Sequence, residues 1–147
     1  MQIDDAFVVQ APRDKVWEFF FDLERLGRCL PGVESIERTD DTHYRGKLKV
    51  KVGPIAARFN GTATLVEAEP PRRVVASIEG DDRSIGTFVK MTLTSTLSAI
   101  DGGTQVAYQM DVNLRGRLAQ FGGAVIGATA KKMAAEFARN VKAQFES

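Results

Sequence analysis

Cysteine and histidine are almost missing from this sequence. Its 147 residues hold one of each, Cys29 and His43. A single cysteine forms no intrachain disulfide and builds no thiolate metal site by itself. A catalytic zinc centre ordinarily needs two or three histidines with a carboxylate, and a hydrolytic triad needs a histidine beside its nucleophile. One histidine next to a turn serves neither, so no catalytic residue and no metal ligand is assigned. Cys29, among apolar neighbours, reads as a buried and inert thiol, and His43 as an exposed turn residue. An excess of one charge is missing too: Lys+Arg of 20 against Asp+Glu of 19 leaves a net charge of +1, which argues against a dedicated nucleic-acid binder. No run comes near the roughly 18 apolar residues of a membrane-spanning helix. Met1-Gln2-Ile3-Asp4-Asp5 has neither the basic nor the apolar region of a signal peptide. The expected compartment is the cytoplasm.

What is present is an ordinary globular balance, 44% hydrophobic and 27% charged, in a length that suits one domain over 1–147. Ile3 to Gln10 reads as a strand with Ile3, Phe7 and Val9 on one face. Ala11-Pro12 then opens a helix, because proline suits the first turn and Asp14 suits the helix dipole. Val16, Trp17, Phe19, Phe20 and Leu23 make that helix strongly apolar. A second short helix runs through Leu26 and Leu30 to Pro31-Gly32.

From Val33 the period changes to two. Val33–Asp40 is a strand, followed by a turn at Asp40-Asp41-Thr42. Tyr44–Val52 alternates strictly, with Tyr44, Gly46, Leu48, Val50 and Val52 on one face and Arg45, Lys47, Lys49 and Lys51 on the other. Beyond Gly53-Pro54, Ile55–Ala68 places Ile55, Ala57, Phe59, Ala63 and Leu65 inward. After Pro70-Pro71, Arg73–Glu79 turns Val74, Ala76 and Ile78 to one side, and Gly80-Asp81-Asp82 reads as a turn. Ile85, Val89, Met91, Leu93 and Leu97 then alternate with Lys90, Thr92, Thr94 and Thr96. Asp101-Gly102-Gly103 is a hairpin signal, and the last strand points Val106, Tyr108, Met110, Val112 and Leu114 inward. Repeated one-sided alternation implies an antiparallel sheet with one wet face. The rest is helix: Leu118, Phe121, Val125, Thr129, Met133, Phe137, Val141 and Phe145 recur at three- and four-residue steps. About 28 residues would span roughly 42 Å, enough to cross a whole sheet.

The order strand, two short helices, about six or seven antiparallel strands, long helix resembles the α+β helix-grip fold of the START/Bet v 1-like (SRPBCC) superfamily. Within it, Ala11-Pro12-Arg13-Asp14-Lys15-Val16-Trp17, Leu30-Pro31-Gly32-Val33-Glu34 and Tyr44 to Ile55 with its Lys-Val-Gly-Pro-Ile block resemble the CoxG family of carbon monoxide dehydrogenase. Phe59-Asn60-Gly61 and Gln120-Phe121-Gly122 with Ala130-Lys131-Lys132-Met133 fit the same pattern. The resemblance implies a non-catalytic accessory of a CO dehydrogenase-type molybdenum hydroxylase. Such a protein would recruit the enzyme to the membrane, or carry to it the isoprenoid quinone, menaquinone or ubiquinone, that accepts its electrons. It would be cytoplasmic, with peripheral contact on the inner face of the cell membrane. Family members often continue past the long helix into a linker and an apolar tail; this sequence stops at Phe145-Glu146-Ser147.

The expected ligand cavity is lined by Phe20, Leu30, Leu48, Val50, Phe59, Ile78, Met91, Leu93, Tyr108, Met110, Val112, Phe121, Val125, Thr129 and Met133. Taken singly, each of these reads as core filling before cavity lining. What tips the set is glycine: Gly122, Gly123 and Gly127 stand in the long helix, where each costs up to about 1 kcal/mol relative to alanine. They imply either room for a ligand or close helix–sheet packing. Arg45, Lys47, Lys49 and Lys51 are either a solvated face paired with Glu67 and Glu69, or a surface for anionic lipid or an acidic enzyme. Tyr108 needs a partner for its hydroxyl, from a ligand head group or from backbone. An alternative on the same fold is a polyketide cyclase or aromatase. That enzyme needs inward polar groups, of which the sequence offers few: Tyr108, Ser95, Thr87 and Thr129. A third reading is an adaptor that binds protein and no ligand.

Overall fold

A computed structural model describes residues 1–146. Seven strands form one antiparallel sheet in the spatial order β1-β7-β6-β5-β4-β3-β2. They are β1 (Gln2–Val9), β2 (Val33–Arg38), β3 (His43–Val52), β4 (Ile55–Glu69), β5 (Arg73–Asp82), β6 (Thr87–Ile100) and β7 (Gly103–Gly116). Helices α1 (Arg13–Phe21) and α2 (Leu23–Cys29) follow β1, and α3 (Gly122–Phe145) closes the chain. Every strand pair from β2 to β7 is a sequential hairpin, while β1 pairs with β7 and joins the two ends of the chain. The antiparallel sheet read from the alternation is observed, and with it the helix-grip architecture that the resemblance implies.

The local signals act where expected. Pro12 stands at the N-cap of α1, and the Asp22 side chain caps α2 by accepting from Arg25 N–H. Two boundaries differ. Gly80-Asp81-Asp82 is not a turn: β5 continues through it, and the reversal falls at Arg83–Ile85 with Gly86 at φ 60°. Asp82 makes this possible, because its carboxylate accepts from Arg58 N–H of β4 at 2.8 Å and from the Ser84 hydroxyl at 2.5 Å. The last helix also starts later than its apolar spacing suggests. Arg117–Phe121 is a 3-10 turn, and Gly122 at φ 82° breaks the path before α3 begins. At 24 residues α3 is about 36 Å long.

The buried core falls into two clusters. One gathers Phe7, Val9, Val16, Phe19, Cys29, Leu97, Val106 and Val141, where α1, α2 and the end of α3 meet β1, β6 and β7. The other gathers Val52, Ala57, Phe59 and Leu118 at the opposite end of the sheet. The α3 backbone runs close to α2, β1 and β3, and its approaches to β4–β7 are sparse.

Candidate functional site

Because the strands are in register, the inner face of the sheet resolves into rows of side chains running across it. Nearest the α1/α2 end lies Leu97–Val106–Phe7, buried in all three strands. Next comes Val74–Ser95–Tyr108–Asp5, then Ala76–Leu93–Met110–Ile3, then Ala63–Ile78–Met91–Val112. The row beyond, Gly46–Gly61–Gly80–Val89–Leu114, carries no side chain in three of its strands. Leu48 and Phe59 face each other further on, beside Val50 and Phe121.

The middle rows belong to neither buried cluster. Ile78, Met91, Leu93, Met110 and Val112 point inward yet remain only half-buried, as do Leu30, Thr129 and Met133 above them. Alanine and glycine at Ala63, Ala76, Gly61 and Gly80 keep the wall low on the β4–β5 side. Phe20 and Tyr108 border the first cluster, while Leu48, Val50, Phe59 and Phe121 belong to or border the second. Of the fifteen residues read as cavity lining, Val125 is exposed, at 36%. The inward neighbour on its turn of α3 is Ile126.

The helix glycines require a correction. A Cβ at Gly123 would meet nothing within 4 Å, and one at Gly127 only Met1 Sδ at 3.7 Å. They are therefore not close-packing devices. Gly122 and Gly123 are exposed and do not face the sheet either. Gly122 is explained by its positive φ. The glycines whose side chains would collide lie outside α3: a Cβ at Gly46 would stand 2.6 Å from Ser35 O on β2, and at Gly32, Gly103 and Gly116 it would stand closer still to backbone oxygen.

The inward polar groups divide in two. Thr87 Oγ1 accepts from Leu118 N–H at 3.2 Å, and Thr129 Oγ1 donates to Val125 O at 3.0 Å, so both are satisfied within the fold. Every sealed side-chain nitrogen or oxygen among the described residues has a partner. The hydroxyls of Ser95 and Tyr108 have none, hence they are not sealed but open to reachable space. Burial, and then the charge of Asp5, push the Tyr108 phenol above its ordinary pKa. Reasoning from apolar periodicity misses Asp5. Its signal is parity, since it stands between inward Ile3 and Phe7. An aromatic train adjoins this row: Phe7 meets Tyr108 edge-on at 6.5 Å and Phe137 at 6.4 Å, and Phe137 stacks on Phe20 at 6.4 Å.

Cys29 is buried, its thiol pushed up in pKa by desolvation against a smaller lowering from Arg25. His43 is exposed in the β2–β3 turn. Hydrogen bonds from Thr42 N–H and the His43 ring hold the Asp40 carboxyl below its ordinary pKa.

On the outer face, a trough of about 1330 Å³ runs over β2–β5, lined in part by Arg45, Lys47, Lys49, Arg58, Asn60 and Asp81. Glu67 and Glu69 do not pair with the basic stripe; they pair with Arg73 and Arg72. The trough's own acids are engaged: Glu37 by Arg45, Asp81 by Arg83 at 3.7 Å, and Asp82 by its hydrogen bonds. Lys47, Lys49 and Lys51 have no carboxylate within 4 Å among the described residues.

A sheet gripping one long helix, with half-buried apolar rows between them, defines a START-like helix-grip domain. Solved structures show the same fold. A conserved protein from Geobacillus kaustophilus superposes with a TM-score of 0.90 at 19% identity, over 99% of this chain and 95% of that one. A START superfamily protein from Mycobacterium smegmatis gives 0.74 at 12%, over 98% and 96%. The Zhui aromatase/cyclase from Streptomyces sp. R1128 gives 0.73 at 16%, over 98% and 92%. No curated protein matches the chain. The family described as the G subunit of carbon monoxide dehydrogenase (CoxG) matches residues 6–146, and the chain belongs to that family.

Proposed function

We propose that this protein is a non-catalytic carrier. It holds an isoprenoid quinone, menaquinone or ubiquinone, between the sheet and α3, and serves a CO dehydrogenase-type molybdenum hydroxylase as an accessory. The observation that carries the reading is the pair of half-buried apolar rows around Met91 and Met110, which no side chain of α3 covers fully. Each CH₂ of a prenyl tail laid there contributes about 0.8 kcal/mol, so a long tail binds without polar contacts. Membership of the CoxG family supports the accessory role and the choice of enzyme. The lysines of β3 supply the contact with the enzyme or with anionic lipid, since their charges are not spent within the fold. No helix among the described residues is long and apolar enough to cross a membrane; peripheral contact at the membrane surface is part of the proposal.

One experiment with two arms tests it. Protein purified from cells making quinone is extracted into organic solvent and analysed by mass spectrometry, and the same preparation is probed for co-purifying hydroxylase. Stoichiometric quinone with the enzyme present is expected. An empty extract and turnover of a polyketide would instead favour a cyclase on this fold.

A further inference from the structure

Three polar side chains share one row of the inner face: Ser95 is buried, Tyr108 half-buried, and Asp5, on the edge strand, exposed. Asp5 is directly opposite Tyr108, and Tyr108 directly opposite Ser95, across β1, β7 and β6. Directly opposed residues of an antiparallel pair share a face and lie within about 5.5 Å at Cβ. Ser95 is 9% exposed, and a hydroxyl that buried ordinarily has a partner. Here neither it nor the Tyr108 hydroxyl has one, and neither is sealed. Asp5 spends one oxygen on the adjacent Ala6 N–H at 2.7 Å. The satisfied hydroxyl of buried Thr87 shows that this fold does satisfy an inward hydroxyl where nothing else is needed.

We infer that Ser95 and Tyr108, with Asp5 beside them, form the head-group site of the inner hollow, and that its ligand class is a flat ring bearing oxygen substituents, as a quinone or its hydroquinone. The inference rests on the reading that the hollow holds a ligand, and adds which end of the ligand goes where. A hydroxyl both donates and accepts, so Tyr108 and Ser95 serve a ring carbonyl or a phenolic hydroxyl alike. Asp5 only accepts, so it adds a contact to a ring hydroxyl, as in the hydroquinone form, while a ring carbonyl is served by Tyr108 and Ser95 alone. The adjoining ring faces of Phe20 and Phe137 suit a flat ring rather than a bulky charged head. With the ring at this row, a tail runs along Leu93–Met110 and Met91–Val112 towards the glycine row. The raised pKa of Tyr108 keeps its proton in place at neutral pH.

The test uses two probes of the same shape, dimethylnaphthoquinone and dimethylnaphthalene, which differ only in the ring oxygens. Their affinities are measured by calorimetry on the wild type, Tyr108→Phe and Ser95→Ala. Wild type should prefer the quinone by about tenfold, and each variant should lose about fivefold of quinone affinity while binding the hydrocarbon within about twofold of wild type. Thermal melting should not fall, because neither hydroxyl bonds to the protein. If both probes bind wild type equally, or the variants weaken both alike, the head-group site is overturned while the hollow stands. If neither probe binds wild type, the hollow reading fails and this site fails with it.

Discussion

Phe19 and Val141, at the α1/α2 end of the space under α3, have no exposed surface, whereas Met133 on the same helix as Val141 stays half-buried. The first end is a knot of aromatic and branched side chains, with Phe19 between Phe20 and Phe145 at 5.7 and 5.3 Å. The other end is pinned by polar groups: Asp82 ties β4 to the turn after β5, and Thr87 holds Leu118 N–H. The difference teaches that the interior is not one core partly hollowed. It is two supports of different chemistry with a span between them, and the span is where both apolar surface and unspent hydroxyls accumulate. A loosely covered span can exist in a small domain only if the stability comes from elsewhere, and the aromatic knot is that elsewhere.

The sharpest way to break the comparison is to truncate one side chain from each region. Phe19→Ala should cost about 3–5 kcal/mol in urea unfolding, the range for a large buried aromatic. Met91→Ala, on the half-buried span, should cost less than about 1.5 kcal/mol, because little of its contact area is lost. Equal costs would mean one continuous core and no span.

A smaller effect, felt at the polar end alone, comes from pH. The Arg58 N–H, then the Ser84 hydroxyl, hold the Asp82 carboxyl below its ordinary pKa. A group lowered on folding adds stability above its unfolded pKa and loses it as pH falls through the folded value. The urea midpoint should therefore drop on acidification below the ordinary carboxylate range. Asp82→Asn should lower the midpoint at neutral pH and flatten part of that slope. A variant with the wild-type pH profile would remove Asp82 from its role as a pin.

The sequence made the frame legible because strand alternation and register are one-dimensional signals. Once Tyr44–Val52 and Val106–Leu114 alternate, their inward sets follow from strand parity. The errors lie where a residue acts through a distant partner. Gly80-Asp81-Asp82 has turn composition, but Asp82 finds Arg58 twenty-four residues away and the strand runs on. Glu67 and Glu69 are near the basic stripe in composition and not in space. Asp5 is invisible to a search for apolar periodicity, since a charged residue inside such a pattern counts as a gap. The helix glycines look alike in sequence, whereas the backbone gives Gly122 a different meaning from its neighbours.

That last distinction yields the smallest prediction, and one with opposite signs at two glycines of the same helix. Gly122 stands at φ 82° and ψ 166°, a region that L side chains rarely enter. Gly122→Ala must either strain this backbone, at a cost of about 1–3 kcal/mol, or shift the start of α3. Gly127 lies inside the helix with ordinary dihedrals, and its new Cβ would touch only the flexible end of Met1. Gly127→Ala should therefore gain up to about 1 kcal/mol of helix propensity. Thermal melting of the two variants reads the contrast directly: one below wild type, the other level or above. Had Gly127 been a close-packing contact against the sheet, its alanine variant would also melt lower. That result would close the gap between α3 and the middle strands, and with it the span on which the whole comparison depends.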